Sequence, residues 1–440
     1  MLERSPKFIN VYKNVKEKML IFNHENRLYE LDENGLFYSL IAKEKEGYII
    51  NNLVDIEFRD KVSPGVIELV NKKLLLDGDL TLDKEKLNIP SLLNFKNGVL
   101  DIEHLTLMDK DPNRYIFTYQ IDANYLSKKE VKGKEGRVFI NFLNTCMESK
   151  EKIELLLSII GYLMTDYIDA RVMFFLVGST GAGKSVIEKL LIKLVGENNV
   201  TNLALSDFSG QFNIAMLRHC RLNINAESGV KPINSSSNIK AIVSGDRIFS
   251  DQKNQEGVNF RPHCKLVQIG NQVPQLKDDK DEENAFRDRF VVLKFNNTIP
   301  KEQRDSKLFE KLLLELDFIA SISIVMFKQK VLDNNFIFSQ PKESLIFTDN
   351  YFSPDSELGN VDSFIKSKCQ FGEYREYIST LYEAYKIYTL ENNLKSNLSQ
   401  NKFSKLMEEV CKVRGIKKER YRQGEENKYG FVGLKLNTSN

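Results

Sequence analysis

The chain has 440 residues, 42% apolar and 28% charged, with a formal net charge of +2, the balance of a globular protein with room for about three domains. No apolar stretch reaches the roughly 18 residues of a membrane span, the N-terminus MLERSPKF has no apolar signal core, and Cys146, Cys220, Cys264, Cys369 and Cys411 are too scattered for a disulfide framework or, with only four histidines, a zinc site. A cytoplasmic protein without membrane contact is expected, in which any nucleic-acid contact comes from local basic patches.

Residues 1–90 mix short alternating segments (27–31, 35–40) with a helical stretch around Val66–Leu76, which predicts a small α+β accessory domain. Residues 91–165 begin with a hairpin signal, Asn97-Gly98 between apolar segments. From Arg137 to about Asp166 the pattern turns helical and predicts a collar leading into a core at 166–345.

That core opens with Val172–Val177, an unbroken apolar run of the kind that forms a strand buried on both faces. Gly178-Ser179-Thr180-Gly181-Ala182-Gly183-Lys184-Ser185 follows, and then a helical pattern through Val186, Leu190, Leu191, Leu194 and Val195. Strand, glycine loop and helix stand in the order that a phosphate-binding loop requires. The glycines let backbone N–H groups converge on an anion at a helix N-terminus. Lys184 is suited to reach the β- and γ-phosphates of a nucleoside triphosphate, and Ser185 to offer its hydroxyl to Mg²⁺.

Further along, the segment Leu222–Glu227 reads as a partly alternating strand ending in a carboxylate. Glu227 suits activation of the attacking water and a share in holding Mg²⁺; Ala226 occupies the position that often carries a second acid. Residues 238–262 predict a helix, a break at Gly245-Asp246 and a hairpin turning at Asn254–Gly257, with Lys253 beside the turn and Arg261 at the far end, where basic side chains track a phosphate backbone. The strand 265–271 ends in Asn271, an amide able to bind a γ-phosphate or position water without adding negative charge. Arg287 and Arg289 precede the strand Phe290–Phe295; either suits a finger reaching a neighbouring subunit's site, or a surface ion pair.

Residues 301–335 are strongly helical and expected as a lid, and Ser339–Gly359, with two prolines, as a linker, the domain boundary falling at 346–360. Beyond Val361 three helical patterns, a basic stretch (Lys412, Arg414, Lys417, Lys418, Arg420, Arg422) and the strand Tyr429–Leu436 predict a winged-helix-like module over 361–440 that binds DNA.

The series Asn94–Asp101, Gly161–Thr165, the glycine-lysine loop, Glu227, Val243–Asp246, Asn271 and Arg287/Arg289 resembles the superfamily 3 helicases of phages, plasmids and mobile genomic islands, relatives of the poxvirus primase-helicase. The resemblance implies an α/β fold with an AAA+ P-loop core and a hexameric ring moving 3′→5′ on single-stranded DNA with ATP and Mg²⁺. It makes Asn271 a sensor, Arg287 (or Arg289) the finger in trans, and 240–262 a pore hairpin with Lys253 and then Lys240 as DNA contacts. Ala226 departs from the commoner acid pair, and any primase or polymerase is expected in a separate polypeptide. Two other readings stay open: an initiator that binds origin duplex and uses ATP as an assembly switch, and a P-loop kinase of small molecules, which leaves the hairpin, the arginines and the tail unexplained.

Overall fold

The computed structural model describes residues 86–111, 114–133, 136–210, 213–226, 231–252, 255–274, 276, 285–352, 357–391, 398–412, 414–423 and 426–437, with three short strands and positions 63, 65 and 69 ahead of them. The chain divides into two compact units, Met1–Lys277 with Phe295–Ser339, and Asp278–Lys294 with Gln340–Asn440.

In the first unit, β1 (Ile21–Phe22), β2 (Leu28–Leu31) and β3 (Tyr38–Leu40) pair as an antiparallel meander, matching the two expected alternating segments; most of the helical stretch 66–76 lies outside the described residues. A second meander joins β4 (Leu92–Phe95), β5 (Gly98–Asp101) and β6 (Thr106–Met108). Phe95 pairs with Gly98, so the turn is Lys96-Asn97, and the Asn97 amide grips the backbone of Tyr125 through two 2.9 Å bonds.

The collar comprises α1 (Lys128–Gly133), α2 (Arg137–Cys146) and α3 (Lys150–Met164). Glu315 accepts the free N–H groups of Val138 (3.1 Å) and Phe139 (2.8 Å) at the start of α2, and Ser149 caps α3. The sheet follows: β7 (Met173–Gly178), α4 (Lys184–Val195), β8 (Val200–Thr201), β9 (Leu222–Asn225), α5 (Ser237–Ser244), the antiparallel pair β10 (Ile248–Gln252) and β11 (Gln255–Phe260), and β12 (Lys265–Gly270). In space the parallel strands run β7-β12-β9-β8. All four residues of β9 are buried, so its asparagines are core residues and not the outward half of an alternation. Asn223 accepts from Leu203 N (2.7 Å) and Thr201 Oγ1 (2.9 Å) and donates to Leu203 O (2.9 Å), which satisfies its amide away from water.

After β13 (Phe290–Phe295), whose last residue belongs to the first unit, come α6 (Leu308–Leu313) and α7 (Leu316–Lys330). The expected lid is part of the collar. Gly161 on α3 lies so near the Ser323 carbonyl on α7 that a Cβ would collide with it, and the Tyr162 and Phe327 rings meet at 5.7 Å. Apolar faces all around α3 demand such a partner.

Below the sheet, ionisable groups are buried together. Arg221 donates to Asp166 (3.0 Å) and to Met164 O (2.7 Å), with its guanidinium 3.3 Å from the centre of the Tyr119 ring. Lys265, 4% exposed, donates to Thr165 O and lies 4.9 Å from the Tyr162 ring centre. Burial pushes its ammonium down to about 7. Unfolded lysine titrates near 10.4 (roughly), so between these values the unfolded chain binds more protons and stability rises with pH. Lys265→Met is expected to flatten the rise in urea midpoint between about pH 7 and 10; parallel pH profiles for the two proteins would remove Lys265 as its source.

The second unit contains α8 (Lys342–Phe352), α9 (Glu357–Lys368), β14 (Cys369–Tyr377), α10 (Ile378–Glu391), α11 (Gln400–Lys412), β15 (Lys417–Gln423) and β16 (Glu426–Leu436). The expected linker is largely helix α8. Pro341 stands at its start, where a missing N–H is no loss, and its carbonyl accepts from Ser344 N at 2.9 Å. Phe290 stacks on Tyr351 at 5.1 Å, which holds the strand residues to α8. Strands β14, β16 and β15 form an antiparallel sheet over Phe364, Leu381, Tyr385, Phe403 and Met407. Of the basic stretch, Lys417, Lys418, Arg420 and Arg422 lie on strand β15, while Lys412 ends α11 and Arg414 sits in the turn between; β14 is an element that sequence periodicity did not predict.

Candidate functional site

Strand β7 ends at Gly178 and the chain enters α4 at Lys184. Gly181 (φ +87°) and Gly183 (φ +91°) are left-handed, a conformation other residues resist. Gly183 also has no room: a Cβ would stand 2.9 Å from the Phe142 ring on α2. The turn leaves the N-terminus of a twelve-residue helix opening beside the carboxyl end of β7, the place where open parallel sheets take ligands. Lys184 is 8% exposed and donates to Gly178 O (2.5 Å), Ser179 O (2.8 Å) and Asn271 Oδ1 (3.3 Å). Burial lowers its pKa from the usual lysine value. Asn271 follows β12, the neighbour of β7, and its amide reaches Thr180 Oγ1 at 3.4 Å. The structure therefore brings Thr180, Lys184 and Asn271 together. Ser185 is exposed at the helix start.

A segment without a sequence signal completes one wall. Ser179 Oγ and Thr298 Oγ1 are 2.5 Å apart, and Ile299 N donates to Gly181 O at 3.1 Å. Arg304 donates to Ile299 O at 2.9 Å, and its guanidinium covers Gly181 so closely that a Cβ there would strike it. Arg304 lies in a polar stretch, Lys301–Asp305, that resembles any solvated turn; only its spatial return to the loop distinguishes it.

Glu227 and Lys253 lie outside the described residues; β9 stops at Asn225 and Ala226 is exposed. Arg287 and Arg289 belong to the second unit, where Arg287 is ion-paired with Asp349 on α8 and Arg289 donates to Ala285 O at 2.6 Å. Lys240 is half-buried on α5 and Arg261 is exposed just after β11. Gln252 pairs with Gln255, so the hairpin turn falls before Gln255 and not at Asn254–Gly257; Gly257 is a strand residue. Lys417, Lys418, Arg420 and Arg422 all lie on β15, with the Lys418 and Arg420 head groups 5.9 and 5.8 Å from the Tyr429 ring centre. Among the described residues no three His, Cys, Asp or Glu side chains converge as a metal site, and no helix is long and apolar enough to cross a membrane.

A parallel sheet with a glycine loop and a buried lysine at its carboxyl end defines the first unit as a mixed α/β domain. Residues 11–148 match the family described as D5 N terminal like, and residues 176–289 a family of unknown function, DUF5906. The chain is similar to "Putative helicase 121R" of Invertebrate iridescent virus 3, 25% identical over 254 residues (50% of this chain, 25% of that protein). It is also similar to the DNA Primase-polymerase of Nitratiruptor phage NrS-1, 20% identical over 364 residues (77% of this chain, 47% of that protein). The chain thus spans between a quarter and about half of these curated relatives. An apo structure of the NrS-1 C-terminal region aligns over 96% of this chain and 98% of that one with a TM-score of 0.49 at 11% identity; a second apo structure aligns over 98% and 100%, with 0.49 at 13%. The family and protein matches thus set parts of this chain beside a D5 N terminal like family, a putative viral helicase and a phage DNA primase-polymerase.

Proposed function

We propose that the chain is an ATP-dependent DNA helicase of the superfamily 3, AAA+ type, a hexameric ring moving 3′→5′ along single-stranded DNA in the replication of a phage, plasmid or mobile island. The observation that carries this reading is the convergence of Lys184, Thr180 and Asn271 on one glycine loop at the edge of two adjacent parallel strands. Lys184 exchanges its bonds to the Gly178 and Ser179 carbonyls for phosphate oxygens, and Asn271 changes partner with it. The exposed Ser185 hydroxyl at the helix start would hold Mg²⁺, which would supply neutralisation of the phosphate charge. Glu227 orients the attacking water, and Arg287 of the next subunit completes the site. The basic strand β15, with two cations over Tyr429, supports an added role as an initiator that contacts origin duplex. A primase or polymerase activity is the expected companion of this chain.

ATPase rate, strand displacement and particle mass measured with and without single-stranded DNA test the whole reading. DNA-stimulated turnover by a ring is expected; a monomer whose turnover ignores DNA would overturn it. Arg304→Ala is expected to raise the KM for ATP about tenfold, the size of one lost charge-assisted hydrogen bond, because the guanidinium already lies over Gly181. An unchanged KM would make Arg304 a loop brace only.

A further inference from the structure

Arg287 stands on a turn that α8 holds from two sides. Phe286, the residue before it, meets the Phe352 ring at 6.2 Å, and Phe290, three residues after it, stacks on Tyr351 at 5.1 Å. The Gln340 amide brackets the strand that follows, accepting from Val292 N at 3.0 Å and donating to Phe290 O at 3.3 Å. All of these residues belong to the second unit. Asp349 lies one turn before Phe352 on the same helix, so the backbones beneath Arg287 and Asp349 are fixed before the two side chains meet.

The resulting ion pair is half open to water, with 38% of the arginine side chain and 48% of the aspartate exposed. An exposed pair of this kind shifts a population by at most about a factor of five. A guanidinium on a phosphate makes shorter, bidentate bonds of roughly twice the strength of neutral ones. A triphosphate brought to Arg287 therefore takes it from Asp349.

We propose that Asp349 is a positioning residue that parks the finger: it holds Arg287 against α8 in the unengaged subunit and yields it to the neighbouring subunit's triphosphate. The proposal rests on the helicase reading, with Arg287 as the finger in trans. It adds the residue that sets how much nucleotide is needed before the finger engages. Parking competes only with the unengaged state, so it raises the ATP concentration required for turnover and leaves the rate at saturation unchanged.

Asp349→Asn keeps the shape of the side chain and removes its charge. In the full-length protein with single-stranded DNA it is expected to lower the KM for ATP about threefold at unchanged kcat, the scale of one exposed pair. Asp349→Glu, which keeps the carboxylate, is expected to keep the wild-type KM. The gap between wild type and Asp349→Asn is expected to narrow as salt is raised, because exposed charges are screened. On the Arg287→Ala background Asp349→Asn is expected to change nothing further, since its partner is already gone. Three results would overturn the proposal and leave the helicase reading standing. An unchanged KM in Asp349→Asn would make the pair a surface contact only. A fall in kcat would mean that the carboxylate aims the finger and does not park it. A KM shift that survives on the Arg287→Ala background would separate Asp349 from the finger. Wild-type turnover by Arg287→Ala would remove the finger and the proposal together.

Discussion

Lys184→Ala is expected to abolish ATP hydrolysis and unwinding together, lowering kcat by at least about 100-fold, the usual effect of removing one preorganised donor from a charge-developing site. The side chain is nearly enclosed, and its three partners are all acceptors: two loop carbonyls and the Asn271 oxygen. It is thus a cation held over the helix N-terminus by atoms that phosphate oxygens can replace. Alanine leaves Gly181 and Gly183 free to keep their left-handed turn, so nucleotide affinity falls less than turnover. Phosphate release and strand displacement are the readouts, with light scattering to verify that particle mass is retained. Unwinding at the wild-type rate would dismiss the loop as the engine.

Arg287→Ala is expected to leave assembly intact and to reduce DNA-stimulated turnover by about 10³-fold, the scale of a lost arginine finger. Arg287 is half-exposed and paired with the exposed carboxylate of Asp349, a partner it can leave; Arg289 is tied to the backbone of its own turn at Ala285. A mixing experiment separates trans from cis action. Lys184→Ala subunits keep the finger and Arg287→Ala subunits keep the loop, so an equal mixture regains part of the lost turnover only if the arginine serves its neighbour's site. No recovery on mixing would place the finger within its own subunit. Normal turnover by Arg287→Ala alone would pass the role to Arg289.

The loop was legible because its demands are local: Gly181 and Gly183 need positive φ, and the apolar run before them needs burial on both faces. Helix α5, the Gly245 break and strand β13 were readable on the same terms. What escaped depends on partners distant in sequence. Asn223 and Asn225 look solvated until the Thr201 hydroxyl and the backbone of Asn202 and Leu203 satisfy them. Pro341 and Pro354 read as linker punctuation, yet α8 lies between them, its apolar side taken by rings from Phe286 and Phe290. The lid expectation failed because α7 finds its partner in α3, and nothing in either helix names the other. Arg304 was invisible for the same reason.

Helix α2 is a strut pinned at both ends. Its last turn abuts Gly183 through Phe142 and Cys146, and the first-turn amides of Val138 and Phe139 are clasped by Glu315 at the head of α7. The loop has no slack on that side, so widening it obliges the strut to tilt about the Glu315 carboxylate. A carboxylate more than a hundred residues away in sequence thereby acts as the fulcrum for how far the turn can open.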